Sequence, residues 1–174
     1  VELPPYYPDT PMIRRDWANG LEQLQLADKT IGKILQKLQD DGLRDNTLVI
    51  LIGDNGRCMP RGKQFLYDGG ISIPLLMRWP GHIKPETVCD DLVNTLDICK
   101  TIVDLAGVQP PHPLHGMNLF ETAIKERPYI FAARDKMDDT HDAMRAVRSK
   151  RYKYIRNLMP ERAYCQYNEY KEKR

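Results

Sequence analysis

Residues 47–56 read TLVILIGDNG, an apolar and largely β-branched run that passes directly into a polar turn flanked by glycines. A strand that is apolar on both faces is typical of the buried centre of a parallel sheet, and the turn residues predict its end. Upstream, apolar residues recur at spacings of three and four from Ile13 to Leu38, which predicts an amphipathic helix that ends at Gly42. A helix, a short loop and a buried strand in this order predict an α/β fold.

The same α/β region continues for about another fifty residues. A second strand is predicted at residues 71–78, and an amphipathic helix at 91–105 with Gly107 as its stop. We therefore expect residues 1–109 to contribute a central mixed sheet flanked by helices, with a polar loop at residues 53–70.

The pattern changes after the prolines of residues 110–113, which predict a rigid linker. Residues 129–133 and 145–155 indicate strands of a small antiparallel sheet, with a turn near Lys150. Residues 110–174 are accordingly predicted to form a linker and part of a small antiparallel subdomain.

The composition is that of a globular protein. Of 174 residues, 41% are hydrophobic and 29% are charged, which excludes a disordered chain, and no apolar run approaches the roughly 20 residues of a membrane helix. The net charge is only +2, but residues 145–174 hold ten Lys or Arg against three Glu, so this segment could attract anions or simply form a solvated face. Among the four cysteines there is no C-x-x-C pair, and we expect Cys89 and Cys99 to be small buried apolar residues.

Asp54 and Asn55 follow the predicted buried strand, at the edge where open α/β sheets bind their ligands. A carboxylate beside a carboxamide offers hard oxygen ligands, which suit Ca²⁺ or Mg²⁺. Because Ca²⁺ takes about six to eight oxygens, two residues supply only part of a site. Asp and Asn followed by Gly are also typical of turns, so a simple strand-to-loop turn remains an alternative at this point.

The wider context resembles the sulfatase family. The resemblance rests on the order and spacing of a strand with its polar loop, a Gly-Lys pair and a second strand, at residues 48–56, 62–63, 66–71, 73–75 and 78–81. Asp28 with residues 31–35, and Asp97-Ile98 in the later helix, also look like the family. The likeness spans about residues 13–120, and more loosely reaches residue 157.

This resemblance implies roles for individual residues. Asp54 and Asn55 stand where the family binds a divalent cation, usually Ca²⁺, and Lys63 stands where its loop lysine contacts sulfate. Negative charge grows on the sulfuryl and leaving oxygens during cleavage, so a cation and an ammonium group lower the barrier. Arg61 lies in the same loop and is a further candidate for touching the anion.

The family's nucleophile is not found in these residues. It is a formylglycine made from the cysteine of a C-x-P-S-R motif, and the only similar stretch, Cys58-Met59-Pro60-Arg61, lacks one residue and occupies the metal loop. The chain is then either a fragment or domain of a sulfatase or a protein that has lost catalysis. We expect the fragment, and we expect that it does not hydrolyse sulfate esters alone. We also expect it to expose apolar sheet and helix surface and to self-associate through that surface.

Residues 1–4, 8–11, 144–148 and 152–158 resemble heparan N-sulfatase (sulfamidase) in particular. This implies a sulfated saccharide partner, the N-sulfate of glucosamine as the bond cleaved, and an exported location that is periplasmic, extracellular or lysosomal. Asp138, Asp139 and His141 are candidates for binding sugar hydroxyls or an amine, with an exposed acidic loop as the alternative. No nucleic-acid or membrane partner is expected.

Three alternatives remain open from the sequence. One is an O-sulfatase of glycans, and another is a phosphodiesterase or phosphonate hydrolase of the same superfamily, which shares the metal loop. The third is a non-catalytic module that binds anions through residues 145–174.

Overall fold

The computed structural model describes residues 1–137 and 140–162. Three helices and five strands follow one another as α1 (Pro11–Asp40), β1 (Val49–Ile52), α2 (Asp68–Ile71), β2 (Leu75–Arg78), α3 (Thr95–Leu105), β3 (Ile130–Met137), β4 (Thr140–Arg148) and β5 (Lys153–Asn157) within these residues. Short 3₁₀ turns lie at Arg44–Asn46 and Thr122–Glu126. None of the helices in this described part combines the length and the apolar character that a membrane span requires.

The chain forms two compact units. The first comprises residues 1–50 and 77–85, and the second comprises residues 51–76 and the described residues from 86 onward. The boundary predicted between residues 109 and 110 falls inside the second unit, so that boundary stays a prediction.

Helix α1 begins and ends where its sequence predicts. Thr10 is extended and its hydroxyl accepts a hydrogen bond from the Ile13 amide at 3.3 Å, while Pro11 opens the first turn. At the other end Gly42 has a φ of 70°, a left-handed conformation that glycine adopts without a steric cost.

Strands β1 and β2 neighbour each other in a two-stranded sheet, and each starts later than predicted. The start of β2 is delayed because residues 68–71 form a helical turn, which Pro74 separates from the strand. The prediction that β1 is buried on both faces is wrong for this chain, since Leu51 and Ile52 are 38% and 40% exposed. In the described residues β1 has one neighbouring strand, and the apolar side chains at its end are left partly uncovered. Self-association through such surface remains a prediction.

Helix α3 starts at Thr95 because Asn94 and Asp97 form a capping box, and Gly107 follows its end with a φ of 65°. The face it buries is polar, since Asp97 and Thr101 are fully buried one turn apart. Cys99 lies on the other side of the helix and is exposed, as is Cys89. The prediction that both cysteines are buried is therefore wrong.

The second unit contains the predicted antiparallel sheet. Strands β3, β4 and β5 pair in that order, with Ala132 opposite Ala146 and Ala146 opposite Ile155. The turn near Lys150 is confirmed, because the Ser149 amide donates to the Tyr152 carbonyl at 2.8 Å. The stretch 145–155, predicted as strand, is the end of β4, this turn and the start of β5.

The core of this unit joins the sheet to the polar loop. Met144 and Ala146 of β4 are buried together with Leu66, which lies in loop 53–70. Ile71, Ala132 and Ile155 pack around them. The small sheet is thus the platform on which the loop rests.

Candidate functional site

Loop 53–70 is braced at its base by the backbone. The Gly53 amide donates to the Pro74 carbonyl at 3.1 Å, and the Gly56 amide donates to the Gly70 carbonyl at 3.0 Å. Gly56 itself is buried, and a Cβ there would lie 2.0 Å from the carbonyl oxygen of Gly69. Backbone therefore packs on backbone at the point where β1 delivers the chain into the loop.

Asp54 and Asn55 lie at the exit of β1. The Asp54 side chain is exposed, and its Oδ1 accepts a hydrogen bond from the Asn55 amide at 2.9 Å. Asn55 is half-buried, and its Nδ2 donates to the Gly56 carbonyl at 2.7 Å. The side-chain Oδ1 of Asn55 therefore points away from that carbonyl. This donor set, a carboxylate and a carboxamide oxygen on adjacent residues, fits Ca²⁺ or Mg²⁺.

The two residues do not amount to a complete site. In the described residues no group of three or more His, Cys, Asp or Glu is arranged to hold a metal ion. A Ca²⁺ ion held by Asp54 and Asn55 would need further oxygen ligands besides these two side chains, as its coordination number requires.

Lys63 is held by its own main chain. Its amide donates to the Arg57 carbonyl at 2.7 Å, and a Cβ on the preceding Gly62 would lie 2.0 Å from that same carbonyl oxygen. The Lys63 side chain is exposed. The loop therefore fixes the backbone at Lys63 while it leaves the side chain accessible to an anion.

The residues on either side of Gly62 and Lys63 have unusual backbones. Arg61 and Gln64 have φ angles of 62° and 75°, in the left-handed region that non-glycine residues rarely occupy. The Arg61 guanidinium stacks on the ring of Tyr67, 4.2 Å from its centroid. Such backbone strain is often concentrated at functional sites.

The predicted saccharide-binding residues are only partly described. Asp138 and Asp139 lie outside the described residues. His141 is exposed on β4, with its Nδ1 3.4 Å from the Asp135 carbonyl oxygen, and its own carbonyl accepts a hydrogen bond from Arg162 at 2.8 Å. An accessible imidazole is compatible with a contact to a sugar, and this role stays a prediction.

Two family models match the chain. The model of sulfatases matches residues 6–108, and a model described as N-sulphoglucosamine sulphohydrolase, C-terminal, matches residues 61–173. The chain belongs to the sulfatase family. The predicted fold class is confirmed with this membership, since the chain is a C-terminal part of the sulfatase α/β fold.

This sulfatase chain has curated relatives of several kinds. It is 38% identical over 98% of its length to an ulvan-active sulfatase of Formosa agariphila, and 31% identical over 91% to the human N-sulphoglucosamine sulphohydrolase. Its length spans 29% and 34% of those two relatives.

A solved structure, BT4656 in complex with its substrate D-glucosamine-2-N,6-O-disulfate, matches with a TM-score of 0.61 and 22% identity. The match covers 76% of this chain and 29% of that one. At this identity the likeness shows the fold.

Two buried ion pairs of the second unit were not predicted from the sequence. Asp97, fully buried on α3, accepts from both terminal nitrogens of Arg127 at 2.6 and 2.8 Å. Arg134 of β3 pairs with Asp142 of β4, and both side chains are almost fully buried. The sequence shows Asp97 only as part of a family-like motif, because its partner is 30 residues away and no local pattern links the two.

The pKa of Asp97 reflects this setting. Burial alone would raise the pKa of its carboxyl, but hydrogen bonds from Arg127 and from the amides of Met117 and Asn94, with the nearby positive charge of Arg127, lower it overall. The same pairing raises the pKa of the Arg127 guanidinium. Both groups are therefore charged at neutral pH.

We expect Gly62→Ala to destabilise the loop by about 1–3 kcal/mol, because the new methyl group would overlap the Arg57 carbonyl and the backbone would have to move. Hydrogen exchange of the Lys63 amide should become faster, and this can be measured in the full-length protein by mass spectrometry. Gly32→Ala in α1 is the matched control, since a Cβ there meets nothing within 4 Å. It should add up to about 1 kcal/mol of helix stability. Equal stabilities and equal exchange rates of the Lys63 amide in the two variants would show that loop 53–70 does not depend on the close packing of its glycines.

Proposed function

We propose that the full-length protein hydrolyses sulfate groups of sulfated saccharides, and that N-sulfoglucosamine is the substrate unit it recognises. The observation that carries the proposal is the single glycine-braced loop that presents Asp54, Asn55 and Lys63 after β1. The choice of N-sulfoglucosamine is supported by the match of residues 61–173 to the N-sulphoglucosamine sulphohydrolase C-terminal model and by the human relative.

In this proposal the chain's own residues bind and orient the anion. Asp54 and Asn55 would hold Ca²⁺, or alternatively Mg²⁺, which supplies electrostatic stabilisation of the charge that grows on sulfate oxygens. The Lys63 ammonium group would contact the same sulfate, and Arg61 lies two residues away as a further cation. Asp138, Asp139 and His141 are proposed to contact the sugar. The nucleophile, a formylglycine by family resemblance, is proposed to lie outside these 174 residues, because they contain no C-x-P-S-R motif. An exported location is proposed on the same resemblance.

The structure does not favour the non-catalytic anion-binding alternative. In the described part of the basic segment, residues 145–162, Arg145 pairs with Asp135, Arg148 and Lys153 both contact Asp68, and Lys150 lies 2.9 Å from Asp91. Four of its cations therefore already have protein counter-ions, which reduces their attraction for an external anion. Membership of the sulfatase family favours sulfate esters over phosphodiesters or phosphonates as the substrates.

The proposal predicts a difference between the full-length protein and this chain alone. The full-length protein with Ca²⁺ should release sulfate from N-sulfated glucosamine saccharides, measured by ion chromatography, and the isolated 174-residue chain should release none from these or from an aryl sulfate. O-sulfated saccharides serve as the comparison substrates for specificity. Turnover by the isolated chain would contradict the placement of the nucleophile, and exclusive release from O-sulfates would contradict the proposed substrate.

A further inference from the structure

The buried ion pair of Arg134 and Asp142 lies beside the candidate site. The two side chains are 4% and 1% exposed, so both charges have lost their hydration. A pair of this kind often contributes little net stability, because desolvation offsets the attraction, and apolar replacements of similar volume are frequently tolerated. What the pair holds in place therefore matters more than its own energy.

Arg134 also contacts the candidate site loop. Its Nη1 donates to the Gln64 carbonyl at 2.8 Å, across 70 residues of sequence, and its guanidinium lies 5.3 Å from the centroid of the Phe65 ring. Gln64 is the residue after Lys63, and its φ of 75° is a conformation that needs support from its surroundings. A planar guanidinium held on one side by Asp142 presents its other N–H groups in a fixed direction.

Lys63 is consequently restrained on both sides. The Lys63 amide donates to the Arg57 carbonyl at 2.7 Å, and the carbonyl of the following residue, Gln64, accepts from Arg134. Strand β5 of the same sheet adds a similar contact, since Lys153 Nζ donates to the Leu66 carbonyl at 3.1 Å. The small sheet thus holds the loop backbone through two cationic side chains.

We propose that Arg134, oriented by Asp142, is a positioning residue that sets the location of the Lys63 ammonium group relative to the bound sulfate. The inference rests on the proposed sulfate contact of Lys63. Arg134 does not touch the substrate and acts through the Gln64 carbonyl. Loss of the contact releases the strained backbone at Gln64 and displaces Lys63, and a displacement of about 1 Å at a reacting group can cost on the order of 100-fold in rate.

The test is a double-mutant cycle in the full-length protein with Ca²⁺ and an N-sulfated glucosamine saccharide. Arg134→Met alone should lower kcat/KM by about 10- to 100-fold. In the Lys63→Ala background the same substitution should cause no further loss, because the group that it positions is already gone. Arg134→Lys keeps the charge beside Asp142 without the planar fork, so it serves as a folded variant with a smaller loss that should also vanish in the Lys63→Ala background.

Arg156→Met is the matched control, since Arg156 is exposed on strand β5 of the same sheet. The kcat/KM of this variant should equal that of the wild type. Losses that multiply in the double variant would overturn the inference, because they would show that Arg134 acts on stability alone. Wild-type turnover by Lys63→Ala would instead overturn the proposed role of Lys63, and with it the inference. The two failures are distinguishable because the second is seen without any change at Arg134.

Discussion

Asp54→Ala is expected to lower kcat of the full-length protein by about 100- to 1000-fold and to weaken its binding of Ca²⁺. The substitution removes the charged member of the adjacent oxygen pair that β1 delivers into the loop. In the proposed mechanism the cation would lose a ligand, and the charge that grows on the sulfate oxygens would be less well stabilised. Turnover can be measured as sulfate release, and Ca²⁺ affinity by isothermal titration calorimetry of the metal-free protein.

Asp45→Ala is the control for this experiment. Asp45 lies in the 3₁₀ turn that precedes β1, its side chain is 85% exposed, and its contact with Arg44 is long at 3.9 Å. Such a surface pair contributes at most about 1 kcal/mol, so this variant should keep both turnover and Ca²⁺ affinity. Unchanged Ca²⁺ affinity in Asp54→Ala would show that Asp54 is not a ligand of the metal ion.

Asp97→Ala is expected to lower the free energy of unfolding of the second unit by about 3–5 kcal/mol. Asp97 is fully buried and accepts hydrogen bonds from Asn94, Met117 and Arg127 at 2.6–2.8 Å, so its removal leaves two amides and a guanidinium without their acceptor. It also removes the capping box of α3. The measurement is the free energy of unfolding of the full-length protein, obtained by denaturant titration of the variant and the wild type.

The control lies on the same helix. Asp104 pairs with Lys100 and accepts a hydrogen bond from Asn118 at 3.2 Å, but the Asp104 and Lys100 side chains are 25% and 32% exposed, so Asp104→Ala should cost only about 1–2 kcal/mol. Similar losses in the free energy of unfolding in the two variants would show that the burial of the Asp97 ion pair does not increase its contribution to stability.

The contribution of Asp97 also has a defined pH dependence. Because the folded pKa is lowered from the ordinary value of 3.8, the stabilisation is fully present above that value and is lost as the pH falls through the folded pKa. The stability difference between the wild type and Asp97→Asn should therefore be constant from pH 7 to about 5 and shrink below pH 3.8. A difference that is unchanged at pH 2 would contradict the charged, paired state of Asp97.

The secondary structure of this chain was largely predictable because its signals are local. Thr10 and Gly42 bound α1, and Gly107 follows α3, for reasons of capping and backbone conformation that act within a few residues. Burial was less predictable. The apolar run of β1 is partly exposed, and Cys99 faces away from the buried side of α3, because burial depends on what packs against an element.

The sequence by itself determined where the candidate ligands lie along the chain, since Asp54, Asn55 and Lys63 stand at fixed spacing after an apolar strand. Only the tertiary structure decided what holds them. The Gln64 carbonyl meets Arg134 from 70 residues away, and Asp97 meets Arg127 from 30. Contacts between residues so far apart depend on how the strands and helices pack, and no periodicity or motif within a single element records them.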